Sequence, residues 1–350
     1  MRRPGAEKGM GAMSTVDFEN HFATQSWVDA LRANLGFPRI TDDPRTGMPR
    51  LWHSHQMWQP LGLIDKLMDL GEGRIHMMDA AGIDVAVLSL TAPGPEQLDP
   101  PLGSKVARES NDRLAEAVQK YRGRFAGFAT LASRDTDVAV AELERCVKDL
   151  GFRGWYTTSN LGDCYLDEKH IWPLLAKAEE LEIPVYIHPT VPMIQQMTSY
   201  GFCMAGPTFG FGTETAMVMI RLIVSGAFDA FPKLQVIMGH LGEGLPFMLD
   251  RVDRPYVQGH VQPDPDVAPV LKHNPSYYLT NNLIVSNSGN YLPAAFTCTK
   301  KGLGMDRIVV GSDYPYEDPS QCMAFLADQR LTITERESLL SGNAVRLGVI

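Results

Sequence analysis

The strongest constraint on how this 350-residue chain can fold is an alternation. Eight β-rich runs recur along it, and helical stretches separate most of them. The runs cover residues 15–21 (TVDFENH), 84–90 (DVAVLSL), 125–131 (FAGFATL) and 152–157 (FRGWYT). They continue at 184–188 (PVYIH), 234–239 (LQVIMG), 277–283 (YYLTNNL) and 307–311 (RIVVG). Apolar residues at helical spacing predict helices over 61–81, 104–121, 137–150, 167–181, 214–225, 293–301 and near 334–340. Several of these stop at a glycine, the residue that most easily takes left-handed backbone after a last helical turn. Eight strands alternating with helices predict an α/β fold, a closed parallel (β/α)8 barrel of TIM type. An open doubly wound sheet is the alternative, but no GxGxxG follows a strand and no phosphate-binding loop is present. A barrel reaches this length as one domain. Residues 15–350 are therefore expected to form it, with 1–14 a disordered leader or a remnant of cloning. Three stretches exceed a minimal barrel: 27–60, 190–213 and 253–275. Long loops in compact domains usually serve as lids, binding loops or subunit contacts.

Composition narrows the function classes. No apolar run approaches the roughly 18 residues of a membrane span. The two arginines at the start have no apolar segment behind them, so a signal peptide is not expected. Net charge is −9 without a basic run, which argues against a nucleic-acid partner. The five cysteines are scattered, odd in number and lack a CxxC pair. That argues against a disulfide framework or structural zinc site and makes a reducing cytoplasm the expected compartment.

The metal-capable residues fall in a telling place. Glu19 and His21 end the first run, and their i, i+2 spacing puts both on one face of a strand. His188 ends the fifth run, His240 follows the sixth and Asp313 follows the eighth. All five lie at the carboxyl ends of strands, where barrel enzymes build their sites. Imidazole and carboxylate donors together suit a catalytic divalent metal. Taken singly, each has an ordinary explanation as a core hydrogen-bonding group, a turn cap or a solvated side chain. Their convergence on one end of four strands favours a site. His53 and His55 lie in the first long loop and are within reach of such a site, though an ordinary role is favoured for both. His76, His170, His260 and His273 are read as outside it.

ENHF (19–22), YIHPTVP (186–192), VIMGHLGEGLPFMLDR (236–251) and GSDYPYE (311–317) resemble the metal-dependent aromatic-acid decarboxylases of the amidohydrolase superfamily. That group includes γ-resorcylate, 2,3-dihydroxybenzoate and 5-carboxyvanillate decarboxylases. The resemblance runs from about residue 16 to the C-terminus and takes in residues 69–90 and 214–234. Glu19-Asn20-His21 replaces the HxH of the superfamily's hydrolases, as in its decarboxylase branch. FRGWYTT offers no lysine for a carbamylated metal bridge, which favours one ion over two.

The resemblance implies that Glu19, His188 and Asp313 bind one divalent ion, Zn2+ or Mn2+, with His21 as a fourth ligand or directly behind it. It implies non-oxidative decarboxylation of an ortho-hydroxylated aromatic acid, in which the ring carbon is protonated before CO2 leaves. Asp313 is the expected acid. His240, held by Glu243, would assist proton movement, with direct metal ligation by His240 left open. Arg251 resembles an arginine offered across a dimer interface to the substrate carboxylate, so a homodimer or homotetramer is expected. Tyr316 and Phe22 are expected to touch the ring. Trp155 and Phe211 are further aromatic candidates for which core packing is favoured. A hydrolase or hydratase acting on an ester, lactone or C=C bond is the alternative on the same barrel, and a non-catalytic binding barrel the third.

Overall fold

The computed structural model describes residues 14–261, 264 and 269–350. Apart from Ser14, the expected leader lies outside the described residues. The strands are β1 (Val16–Phe22), β2 (Arg39–Asp42), β3 (Pro49–Ser54), β4 (Met57–Trp58), β5 (Val85–Leu90) and β6 (Phe125–Gly127). They continue with β7 (Ala129–Thr130), β8 (Trp155–Thr158), β9 (Val185–His188), β10 (Val236–Met238), β11 (Leu283–Ser286) and β12 (Ile308–Val309). β1, β5 and β6 pair in parallel, and β7 to β12 pair in parallel in sequence order. β6 and β7 are one predicted run interrupted at Phe128, and they join the two ladders. Parallel bridges from Asp17 to Val310 and from Asn20 to Tyr314 tie β1 to the chain after β12. The Phe18 and His21 N–H groups donate to the Val310 and Tyr314 carbonyls at 2.8 and 2.7 Å. The ring of strands thus closes as a (β/α)8 barrel.

Val16, Phe18, Val87, Phe128, Tyr156, Tyr186, Ile237, Ile284 and Val309 pack against one another and fill the barrel interior. A larger apolar cluster, reaching from Phe22 to Leu339, lies between strands and helices. A β-bulge in β1 connects the interior to the site. Asp17 pairs with Ala86 but Asn20 pairs with Leu88, so Phe18 and Glu19 share the place opposite Val87. Two consecutive side chains thereby face inward. Phe18 joins the apolar floor, while Glu19 and then His21 point into the mouth above it.

Three expectations need correction. The run 277–283 is not a strand: Pro275–Asn281 is helical, and the strand is Leu283–Ser286. Pro275 pre-sets the first turn, and burying Tyr278 and Leu279 outweighs the β preference of aromatic residues. The helix expected over 61–81 is two helices, Leu63–Met68 and Glu72–Ala81. Between them the Asp69 carboxylate accepts from the Gly71 N–H at 2.8 Å. The buried Arg74 guanidinium donates to the Asp69 and Lys66 carbonyls at 2.7 and 3.1 Å, satisfying the end of the first helix. Finally, the stretch 27–60 is not irregular. It carries most of helix Gln25–Ala33 and an antiparallel sheet in the order β2-β3-β4. Trp52 and Trp58 sit across two of its strands, their ring centres 5.4 Å apart. Among the described residues, no helix is long and apolar enough to cross a membrane.

Candidate metal centre and active site

Glu19, His21, His188 and Asp313 converge so that one donor atom of each lies within 4.8 Å of the others. His21 Nε2 is 3.0 Å from Asp313 Oδ1. His188 Nε2 is 3.5 Å from Glu19 Oε1 and 3.6 Å from Asp313 Oδ1. Glu19 Oε1 and His188 Nε2 are buried and make no hydrogen bond. Buried polar atoms normally find partners, so two orphaned acceptors aimed at one point are what a divalent cation would satisfy. The surrounding contacts fix the donors. Glu19 Oε2 accepts from the Tyr186 hydroxyl and, at 2.7 Å, from the Ser286 hydroxyl. His188 Nδ1 lies 2.8 Å from the Pro189 carbonyl. That carbonyl holds a proton on Nδ1 and leaves the Nε2 lone pair for the cluster. Burial and the neighbouring His188 lower the His21 pKa, so its ring is neutral, as ligation requires. Glycine makes room here: a Cβ on Gly311 would come 3.0 Å from Glu19 Oε2.

Asp313 has a left-handed backbone, with φ at +60°. Burial would raise its pKa, but the His188 and His21 imidazoles beside it hold it well below the usual carboxylate range. The turn that presents it is anchored from below by Asp17, whose carboxylate accepts from the Ser312 N–H at 2.9 Å and the Ser312 hydroxyl at 2.5 Å. Asp17 also accepts from the Glu19 N–H at 3.1 Å and from the Asn20 amide. Burial pushes Asp17 up to about 7. One buried carboxyl thus ties the bulge of β1 to the Asp313 turn.

His240 stands apart from the four donors, its ring centre 6.3 Å from that of His188. Its Nδ1 is 2.5 Å from Glu243 Oε1. Burial opposes its protonation, but the Glu243 carboxylate prevails and holds His240 up at about 10. The contact depends on an unusual backbone. Residues 240–244 have φ of +53°, +62°, +78°, +52° and +82° in turn, a left-handed run containing three non-glycine residues. Such φ values are uncommon outside glycine and cluster at functional sites. In this turn residue i+3 falls beside residue i, bringing Glu243 to His240. A Cβ on Gly212 would come 2.5 Å from Glu243 Oε2, so a larger residue there would push that carboxylate aside.

These groups open into a pocket of about 470 Å3. His188, Asp313, Tyr316, His240 and Glu243 line it from the barrel, and Phe202 and Phe211 from the stretch after β9. Tyr316 is positioned by a 2.5 Å hydrogen bond between its hydroxyl and that of Thr91. Of the aromatic candidates, Tyr316 and Phe211 line the pocket. Phe22 does not: as the neighbour of inward-facing His21 it points outward, is 1% exposed and packs in the helix-facing core. Trp155 likewise lies in that core. Arg251 is exposed on helix Leu249–Val257 and lines none of the pocket within its own chain.

Two further lining residues come from the first insertion, His53 on β3 and Gln59 just after β4. His53 lies on β3 and reaches the pocket, whereas His55 lies in the turn before β4 and is exposed. His76, His170, His260 and His273 are also exposed and outside the pocket. Glu317, the last residue of GSDYPYE, and Asn290 line the pocket too, though neither stood out as a site residue in the sequence. Cys164, Glu168 and His170 form a second compact group of donors, but none of them lines the pocket.

A closed barrel with imidazole and carboxylate donors gathered at its strand ends defines a class of metal-dependent enzymes. The amidohydrolase family model matches residues 17–347, and the chain belongs to that family. It is 32% identical over 341 residues to a γ-resorcylate decarboxylase of Polaromonas sp., covering 95% of this chain and 97% of the relative. The solved structure of a dihydroxybenzoic acid decarboxylase from Polaromonas sp., with bound manganese and the inhibitor 2-nitroresorcinol, superimposes with a TM-score of 0.81. It shares 32% identity, with 96% of this chain and 97% of that chain covered. A 5-carboxyvanillate decarboxylase from Novosphingobium aromaticivorans, with manganese and 4-hydroxy-3-methoxy-5-nitrobenzoic acid, gives a TM-score of 0.84 at 31% identity and 97% coverage of both chains.

Proposed function

We infer that this chain is a carboxy-lyase, a metal-dependent non-oxidative decarboxylase of an ortho-hydroxylated aromatic carboxylic acid. The observation that carries this is the four-donor group placed beside the His240–Glu243 pair at the base of an aromatic-walled pocket. Glu19, His21, His188 and Asp313 would hold one divalent ion, manganese or zinc. When bound, that ion supplies Lewis acidity to a phenolic oxygen and the adjacent carboxylate of the substrate.

The remaining chemistry falls to the side chains. Loss of CO2 from an intact aromatic ring would leave an aryl anion, so the ring carbon must first gain a proton. Asp313 faces the pocket and is the group to deliver it; being ionised in the resting protein, it must first take a proton up. His240, kept protonated by Glu243, is the nearby store. With the ring carbon protonated, its bond to the carboxylate breaks and the electron pair returns to the ring. CO2 departs, and one proton has been consumed per turnover. Phe202, Phe211 and Tyr316 hold the ring and keep water from it.

Arg251 lies on a surface with Phe247 84% and Val257 71% exposed. That surface favours a homodimer or homotetramer in which Arg251 serves the carboxylate of a neighbouring site. All five cysteines are free, which suits a cytoplasmic location.

The test is metal analysis of the purified protein, followed by a screen of ortho-hydroxybenzoates for CO2 release. One ion per chain and turnover lost in Asp313→Asn supports the function. One ion per chain with no aromatic acid turned over would move the assignment to a hydrolase or hydratase.

A further inference from the structure

We propose that His53, Gln59 and Glu317 are specificity-determining residues that admit a ring carrying one carboxylate and neutral hydrogen-bonding substituents, and reject a ring carrying a second carboxylate. The selection rests on the decarboxylase function above and deepens it, since that function leaves the ring substituents open.

The pocket's inventory of charge supports it. Among the described residues, no lysine or arginine lines the cavity. Three carboxyl groups do: Glu243, Asp313 and Glu317. The imidazoles cannot offset another anion. His188 belongs to the metal-binding group and His240 is committed to Glu243 at 2.5 Å. His53 is held neutral, because burial alone pushes it down to about 4. Its ring packs edge-on against Phe202 with centroids 5.5 Å apart, and Phe202 packs on Phe211 at 6.1 Å. An apolar wall of this kind penalises an unpaired charge. The proposed contribution of Arg251 does not change the count, since it serves the carboxylate that is lost.

The same residues suit hydroxyl or ether substituents. Gln59 Nε2 lies 3.3 Å from His53 Nε2. With a neutral ring the amide donates to the imidazole, and the Gln59 carbonyl oxygen is the acceptor this wall offers to a phenol. The Gln59 backbone N–H donates to the Leu51 carbonyl at 2.8 Å, so the wall is fixed by the insertion sheet. Glu317 offers a second acceptor. Its backbone N–H donates to the Asp313 carbonyl at 3.1 Å, which fixes it beside that carboxylate, so a further anion here would meet two like charges.

Two unreactive ligands separate the possibilities, because each has a nitro group in place of the reacting carboxylate. 2-Nitroresorcinol otherwise carries only hydroxyls; 4-hydroxy-3-methoxy-5-nitrobenzoic acid keeps a carboxylate. Calorimetry on the manganese-loaded protein should give a Kd at least about 10-fold lower for 2-nitroresorcinol, the preference expected of a pocket that leaves a buried carboxylate unpaired. Gln59→Arg should close or invert that gap by supplying the missing cation, with Gln59→Lys as the parallel variant and a thermal melt confirming that each is folded. Equal or tighter binding of the benzoic acid by the unaltered protein overturns the proposal. So does a folded cationic variant with an unchanged preference. If the preference holds while no aromatic acid releases CO2, the wall stands and the decarboxylase function falls. If neither ligand binds, both fall.

Discussion

The floor of the barrel and its mouth are built on opposite terms. In the floor the inward side chains are apolar or aromatic, and Val16, Val87, Ile237 and Ile284 are fully buried. Backbone there is mostly ladder-paired, apart from the bulge in β1 and the break at Phe128. A few ångströms above, at the ends of the same strands, buried side chains are ionisable. Glu19 is 1%, His21 0% and Asp313 9% exposed. Four of the five non-glycine residues with positive φ among the described residues, His240, Leu241, Glu243 and Asp313, belong to this rim. Regular burial stabilises the lower layer, and that stability offsets strain and desolvated charge in the upper one. The two layers should therefore answer to mutation in different currencies, activity above and stability below.

The sharpest test of that division is Asp313→Asn. It should lower the rate of CO2 release by roughly 100- to 10,000-fold, the range expected for loss of a positioned acid. The fold favours the ionised form of this carboxylate, so the melting temperature of the metal-free protein should fall as well, though by less than for a cavity in the floor. A large drop in melting temperature would blur the contrast between the layers.

Ile237→Ala probes the floor. A cavity there should cost about 2–5 kcal/mol in denaturant unfolding, as for other large-to-small core changes. Specific activity per folded molecule should change little. A large loss of activity at full folding would show that floor and mouth are coupled.

Glu243→Gln affects both quantities, and its pH dependence separates them. Folding raises His240 from its usual 6.5 to about 10. The stabilisation from its protonated form is therefore fully present below about pH 6.5 and is lost as pH rises through about 10. The unfolding free energy of the unaltered protein should exceed that of the variant by about 2 kcal/mol near pH 6, the scale of a hydrogen bond to a charged group. The difference should shrink toward zero above about pH 10, and a pH-independent difference would place the effect in packing instead.

Gly244→Ala should be the mildest. Its φ is +82° and a Cβ there would meet nothing within 4 Å, so the cost reduces to backbone conformation, about 1 kcal/mol. A thermal melt gives the number, and a much larger loss would mean that the turn has no freedom to relax.

The contrast also explains what could be read from the sequence. Charged residues at the ends of apolar strands stand out against the pattern, so Glu19, His21, His188, His240 and Asp313 were visible without coordinates. The barrel itself was visible in the alternation. Phe22 went wrong because strand alternation sends the neighbour of His21 outward. The run YYLTNNL read as a strand because its residue types favour one; tertiary burial of Tyr278 and Leu279 decided otherwise. His53, Gln59 and Glu317 had no such signature. They reach the pocket through a small sheet and a loop whose placement depends on contacts distant in sequence. The β1 bulge was equally hidden, since one extra residue leaves no mark on composition.

The left-handed run at residues 240–244 has a consequence for when His240 becomes competent. L-residues disfavour that hand by roughly 1–2 kcal/mol each, so nothing local holds His240, Leu241 and Glu243 in it. The turn closes only because its surroundings hold it: the Leu241 N–H donates to the Ser286 carbonyl at 2.7 Å and the His240 N–H to the Ser288 hydroxyl at 3.2 Å. A free peptide spanning 236–251 should therefore titrate its histidine near the ordinary 6.5 of an isolated side chain. The proton store is absent from the local sequence and comes into being with the last strands of the barrel, so a partly assembled chain carries the residues of the pair without its raised affinity for a proton.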